Sequence, residues 1–257
     1  MQDNLRHQAA QAEELLASEG RDLRFVAVDF ETFYRGEKSA ARYGKTPCSV
    51  DESGNWAYCR HPEWHAYLVS IFSPAYGIEY VGPVEEAPWE RIAEFTWCSH
   101  NRNFDRHVYE RLNELGTVPT PAWGVWHDTA DLAVYSHLPR SLKNAAAAAF
   151  GVKLAKENRA MMDGKRWSDL SPDQQDQLRE YALTDAITCW LIWAQFEACW
   201  PEHERQASLH TGDIEFRGIP VDLAALKADI TVLETAKWHS RNAIPWYNAE
   251  DENGESI

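Results

Sequence analysis

Asp29 and Glu31 stand two apart in the run FVAVDFETF, which begins at Phe25. In an extended strand, residues two apart leave the same face, so the two carboxylates share one side and Val28 and Phe30 take the other. Acids on a face of an apolar strand carry a desolvation cost that a bound cation relieves, and Mg²⁺ or Mn²⁺ suits carboxylate donors. Ordinary strand-end acids remain an alternative at this point, because a chain with 40 Asp and Glu residues holds such pairs by chance. A third acid, Asp105 in SHNRNFDRHVYERL, falls in the first turn of an expected helix, where free amides and the helix dipole stabilise an anion. Capping alone would also explain it. In YALTDAITCWLIWAQF, Tyr181 and Asp185 are four apart and stack on one helix face. They lie at the margin of an apolar stripe made by Ala182, Leu183, Ala186, Ile187, Trp190, Leu191 and Ala194, and a Tyr–Asp pair solvated beside the core is the alternative there.

The elements that would carry these groups follow from local patterns. The β-branched and aromatic run from Phe25 predicts a central strand. HAYLVSIFS and GIEYVG predict two further strands joined by a hairpin over Pro74–Gly77, and FTWCSH a short one before a helix that ends at Gly116. WGVWHDT predicts a strand whose Asp128 and Thr129 cap the next helix, and Ser141 and Gly151 bracket LKNAAAAAF. A long helix is expected over 171–199, opened by Ser171-Pro172 and closed by Pro201. Residues 34–64 suit an exposed excursion without sustained period, IEFRGIPVD a turn, and LAALKADITVLETAKWHSRNA a final amphipathic helix. Strands first, then helices alternating with strands, favour an α/β or mixed-sheet domain. The leading segment 3–19 predicts a short helix that reads as a solvated appendage.

The net charge of −15 opposes a protein that holds long nucleic acid by neutralising many phosphates, but not an enzyme that grips a few terminal nucleotides through metal ions. Five cysteines, with no close pair at zinc-ligand spacing, favour reduced and mostly buried thiols. No run predicts a membrane span or an apolar leader, so the expected setting is the cytoplasm, that of a host cell if the protein is phage-encoded. Phe33, Phe104 and Tyr34 lie near the acid motifs and are candidates to stack on bases.

Taken together, VDFET, HNRNFD and YALTDA resemble, in order and separation, the three motifs of the DEDD superfamily of 3′→5′ exonucleases in its tyrosine-containing branch. WHDTADLAVYSHLPRSLKNAAAAAFGV is similar to the segment that links that family's second and third motifs. YCRHPEWHAYLVSIFS followed by GIEYVG looks most like the proofreading domain of phage and bacterial family A DNA polymerases. The resemblance covers roughly 24–200. It implies a ribonuclease H-like mixed β-sheet flanked by helices, the DnaQ-like exonuclease fold, and hydrolysis of the terminal phosphodiester of single-stranded or frayed DNA with two divalent ions. By resemblance Asp29 would bridge both ions, Glu31 and Asp185 would complete one site, Asp105 would hold the second ion, and Tyr181 would orient the attacking water. Asn101 would touch the terminal sugar or phosphate, with Thr32, Phe33 and Phe104 as further substrate contacts.

The expected organisation is a helical extension over 1–22, the exonuclease domain over 23–206, a helical appendage over 207–247 and an acidic disordered tail over 248–257. The run HTGDIEFRGIPVDLAALKADI resembles the start of a family A polymerase domain, without room for its catalytic parts, so a separate DNA polymerase is a candidate partner. Two rival readings stand beside this one: a ribonuclease D-like exoribonuclease using the same residues, and a non-catalytic protein that binds DNA ends or a polymerase.

Overall fold

The computed structural model describes residues 2–120, 123–154 and 162–244. The expected tail over 248–257 lies outside them. Five strands form one mixed sheet in the order β3-β2-β1-β4-β5: β1 (Phe25–Thr32), β2 (Ala66–Ser73), β3 (Ile78–Gly82), β4 (Thr96–Ser99) and β5 (Val125–Asp128). β1, β2 and β3 pair antiparallel, whereas β4 runs parallel to β1 and β5 parallel to β4. Helices flank this sheet, which is the ribonuclease H-like α/β arrangement the sequence predicts.

β1 is central because both of its faces are apolar up to the point where the acids begin. Phe25 and Ala27 pack with α7 (Pro172–Phe196), α5 (Thr129–Tyr135), α6 (Leu142–Phe150) and α1 (Gln2–Ser18). Val26, Val28 and Phe30 pack on the other side with Trp89, Trp97 and the Val108–Tyr109–Leu112 face of α4 (Arg102–Glu114). Alternation therefore sends Asp29 and Glu31 out on the α7 side, where the apolar layer stops. The hairpin between β2 and β3 turns at Gly77, whose φ of 59° is one that side chains rarely adopt.

α7 begins as predicted, with a capping box in which Ser171 accepts from Gln174 N and Gln174 accepts from Ser171 N. It ends at Phe196, and a 3₁₀ turn over Glu197–Cys199 completes the expected length. Elsewhere the chain departs from the expectation. α1 is not a solvated appendage: Leu5, Ala9 and Leu16, on one face of the helix, are buried in the core that surrounds α7. The excursion over 34–64 contains two short helices, α2 (Glu37–Tyr43) and α3 (Val50–Tyr58), hidden from periodicity by their length and by Gly54 inside the second. Ile214–Arg217 continue α8 (Glu202–Arg217), so the turn expected at IEFRGIPVD starts only at Gly218, where φ is 70°.

By its internal contacts the chain divides into two compact units, 1–216 and 217–257. The first takes in α8 up to Phe216, whose ring is tilted against that of His107, centroids 4.5 Å apart, and lies under the Arg106 guanidinium. The second contains α9 (Leu223–Ala243), capped by Asp222, which accepts from Ala224 N and Ala225 N. Among the described residues, no helix is long and apolar enough to cross a membrane. Cys48, Cys59, Cys98 and Cys189 are buried free thiols and Cys199 is an exposed one.

Candidate active site

The C-terminal half of β1, the first turn of α4 and the middle of α7 meet where the α7-side apolar layer gives out. Asp29 and Glu31 are half-buried on β1, Asp105 is 1% exposed on α4, and Tyr181 and Asp185 are half-buried on α7. Asp105 Oδ1 accepts the backbone N–H of Phe30 at 3.1 Å, which fixes α4 against the residue between the two β1 acids. The carboxyl of Asp29 is held well above the usual carboxylate range, first by burial and then by the charges of Asp105, Glu31 and Asp185. Burial also raises Asp105 well above that range, with Asp128 and Glu31 adding to it, against the opposing pull of the Phe30 amide. These shifts show that the acids named from the sequence lie within electrostatic reach of one another.

Tyr181 is hydrogen-bonded to Asp185, and burial together with the charges of Asp185, Glu31 and Asp29 pushes its phenol above the ordinary value. The hydroxyl therefore stays protonated and acts as a donor. Helical spacing explains the pairing, since residues four apart share a face.

Four carboxylates are a hard oxygen donor set, and among the described residues neither Asp29 nor Asp105 enters an ion pair with Lys, Arg or His. Carboxylates whose charge is disfavoured by burial and by one another are what a divalent cation compensates, so the residues fit Mg²⁺ or Mn²⁺. No three Asp, Glu, His or Cys side chains among the described residues already form a ligand cage.

The predicted substrate contacts are placed differently from the acids. Asn101 is exposed at the start of α4, with φ 75° and ψ 54°. Phe104 is half-buried beside Tyr58, ring centroids 6.2 Å apart. Phe33 is 2% exposed, with His65 stacked on it at 5.3 Å, and the Thr32 hydroxyl is engaged with Tyr58 Oη at 2.7 Å. His100 has both ring nitrogens occupied, Nδ1 with Thr129 Oγ1 at 3.1 Å and Nε2 with the Arg140 carbonyl at 2.6 Å.

Sequence reasoning missed the hydroxyls that lock these elements together. Ser70 Oγ donates to Ala182 O at 2.9 Å, tying β2 to the turn of α7 beside Tyr181, and Ser99 Oγ donates to Val28 O at 2.5 Å. The signal was present: serines inside the apolar runs AYLVSIFS and TWCS must satisfy buried hydroxyls.

The sequence matches no known family model and no curated protein. Among solved structures it is similar to Escherichia coli RNase D, described as an exoribonuclease involved in structured RNA processing (18% identity, 83% of this chain and 49% of that one, TM-score 0.47). It is similar also to the catalytic core of RRP6 from Trypanosoma brucei (15% identity, 81% and 50%, TM-score 0.46) and to Trypanosoma brucei RNase D in complex with RNA U12 (15% identity, 83% and 70%, TM-score 0.48). The chain spans about half the length of the first two. Likeness of this degree leaves the activity to be argued from this chain's own residues.

Proposed function

We propose that the protein is a metal-dependent 3′→5′ exonuclease acting on single-stranded nucleic-acid ends. The observation that carries this reading is the gathering of Asp29, Glu31, Asp105 and Asp185 from one strand and two helices, with Tyr181 hydrogen-bonded to Asp185. Asp29, Glu31, Asp105 and Asp185 would hold two divalent ions, Mg²⁺ or Mn²⁺. When bound, these supply an activated water at neutral pH and stabilise charge on the attacking and leaving oxygens. The protein's own residues set the geometry: Tyr181, kept protonated, donates to orient, and the Phe30 amide holds Asp105 in place. No histidine is needed as a base, in keeping with His100, whose nitrogens are already engaged.

The sugar is where two readings part. The sequence resemblance points to DNA and to proofreading; the comparisons lend that kinship no support, and two of the similar structures are an exoribonuclease and an RNase D in complex with RNA. RNA therefore stands beside DNA as a substrate from the outset. The deciding experiment is Mg²⁺- or Mn²⁺-dependent digestion of 5′-labelled DNA and RNA oligonucleotides of one sequence, with Asp29→Ala and Asp185→Ala alongside. A ladder shortening from the 3′ end, abolished by EDTA and by either substitution, is the expected result, and the faster substrate names the sugar. No shortening of either by the folded wild-type protein sinks the reading and favours a non-catalytic end-binding role. A cytoplasmic setting and a separate polymerase partner belong to this proposal too, the latter checked by co-purification with replication polymerases.

A further inference from the structure

Asp128 ends β5 with its side chain only 7% exposed, and its two oxygens serve two helices. Oδ1 accepts from Ala130 N at 2.8 Å, the ordinary cap of α5. The same oxygen accepts from Asn101 N at 3.0 Å, and Oδ2 accepts from Arg102 N at 3.1 Å, both at the start of α4. α4 has no cap of its own, because the side chain of Asn101 makes no capping bond. Asn101 also sits in the left-handed region, which asparagine enters more readily than most side chains. Thr129 completes the bracket: its Oγ1 donates to Ser99 O at 3.2 Å and meets His100 Nδ1. Residues 99–102 are thus held from 128–129, across the parallel pairing of Ser99 with Asp128.

Two groups depend on that turn. Asp105 rides on the first turn of α4, and Asn101 is the exposed residue at its mouth. Three backbone amides bond the Asp128 carboxylate, which gives it a structural task at the start of both helices. We propose that Asp128 is a positioning residue, which sets the start of α4 so that Asp105 meets the other acids and Asn101 faces the terminal nucleotide. This rests on the exonuclease reading for its second half, and on geometry alone for its first.

The informative variant is Asp128→Ser, because serine still caps α5 but is too short to reach Asn101 N and Arg102 N. Melting temperature, Mn²⁺ affinity and single-turnover hydrolysis of the preferred oligonucleotide are measured on wild type, Asp128→Ser, Asn101→Ala and the double variant. A core control, Ile78→Ala on β3, reports what loss of packing alone does. The expected result is a melting temperature no lower than that of the control, with Mn²⁺ affinity and rate down about 10- to 100-fold. The double variant should lose less than the two singles combined, since both act on one turn. Wild-type affinity and rate in Asp128→Ser, or strict additivity, overturns the proposal. If wild type binds Mn²⁺ but shortens neither oligonucleotide, the exonuclease reading fails by itself, and unchanged or weakened Mn²⁺ affinity in Asp128→Ser still decides the role of Asp128.

Discussion

Asp105 Oδ1 and the backbone N–H of Phe30 are 3.1 Å apart, a bond between residues 75 positions distant in the chain. The carboxylate of α4 is thereby tied to the residue lying between Asp29 and Glu31. One side chain thus has two tasks, accepting this amide and offering charge to an ion, and substitution separates them. Asp105→Asn keeps an oxygen for the amide and loses a charge that burial disfavours, so in EDTA its melting temperature is no lower than wild type. Its hydrolysis rate falls about 100-fold or more, the equivalent of several kcal/mol of charge stabilisation. Asp105→Ala loses both and is less stable by about 1–3 kcal/mol, the cost of a buried amide left unpaired. Chemical denaturation and single-turnover rates on the two variants check this.

Asp29 is expected to trade stability for function. Its carboxyl is raised by burial and by three neighbouring acids, so removing its charge relieves repulsion in the metal-free protein. Asp29→Asn should melt higher than wild type in EDTA. Mn²⁺ at about 100 times its dissociation constant should stabilise wild type by about 2.7 kcal/mol and leave the variant unmoved. Thermal melts with and without the ion decide; an equal response in both proteins would place the ion elsewhere.

Tyr181→Phe keeps the ring that packs beside Leu68 and Leu178 and removes only the hydroxyl. A hydrogen bond involving a charged group contributes about 1.5–3 kcal/mol, so the rate should fall about 10- to 100-fold while Mn²⁺ affinity holds. Because the phenol is pushed above its ordinary value, the pH–rate profile of wild type should show no loss of activity from its ionisation below about pH 10.

His107 and His127, like His100, weaken the fold as pH falls. Burial lowers each to about 4 from an ordinary 6.5; Arg60 and Arg106 add to the effect at His107, and Arg205 and Arg102 at His127. A depressed folded-state value means the unfolded chain takes up the protons first. Their contribution is therefore complete above pH 6.5 and is lost as pH falls from there through 4, at about 1.4 kcal/mol per pH unit for each. Asp29 and Asp105, raised in the fold, gain stability over the same fall in pH, so the histidine share is read as a difference: from pH 7.5 to pH 5 the urea midpoint of wild type should fall relative to that of His107→Gln.

Local rules placed each acid, and the resemblance of the three ordered motifs joined them into one candidate site. Period two put Asp29 and Glu31 on one face, period 3.6 joined Tyr181 to Asp185, and the strand-to-helix junction marked Asp105. What escaped was decided at a distance. The second reach of Asp128, to amides 26 and 27 positions earlier, depends on β4 and β5 lying parallel, and no local pattern states that. The burial of Phe33 is likewise set by His65 arriving from another part of the chain, so proximity to an acid motif gave it a stacking role that its 2% exposure does not offer in this conformation. α1 looked polar because three buried residues among 17 are enough to dock it.

That docked helix bears on how the protein can be handled. Gln2 Nε2 donates to the Glu180 carbonyl at 3.1 Å, in the residue preceding Tyr181, and Leu5, Ala9 and Leu16 cover the core around α7. Trimming the chain back to Asp22 would strip a wall from the helix that presents Tyr181 and Asp185. An affinity tag joined ahead of Gln2 would extend from the end of α1 that bonds the Glu180 carbonyl. Loss of activity in a shortened or N-terminally tagged preparation would therefore report a disturbed α7, and says nothing against the acids themselves.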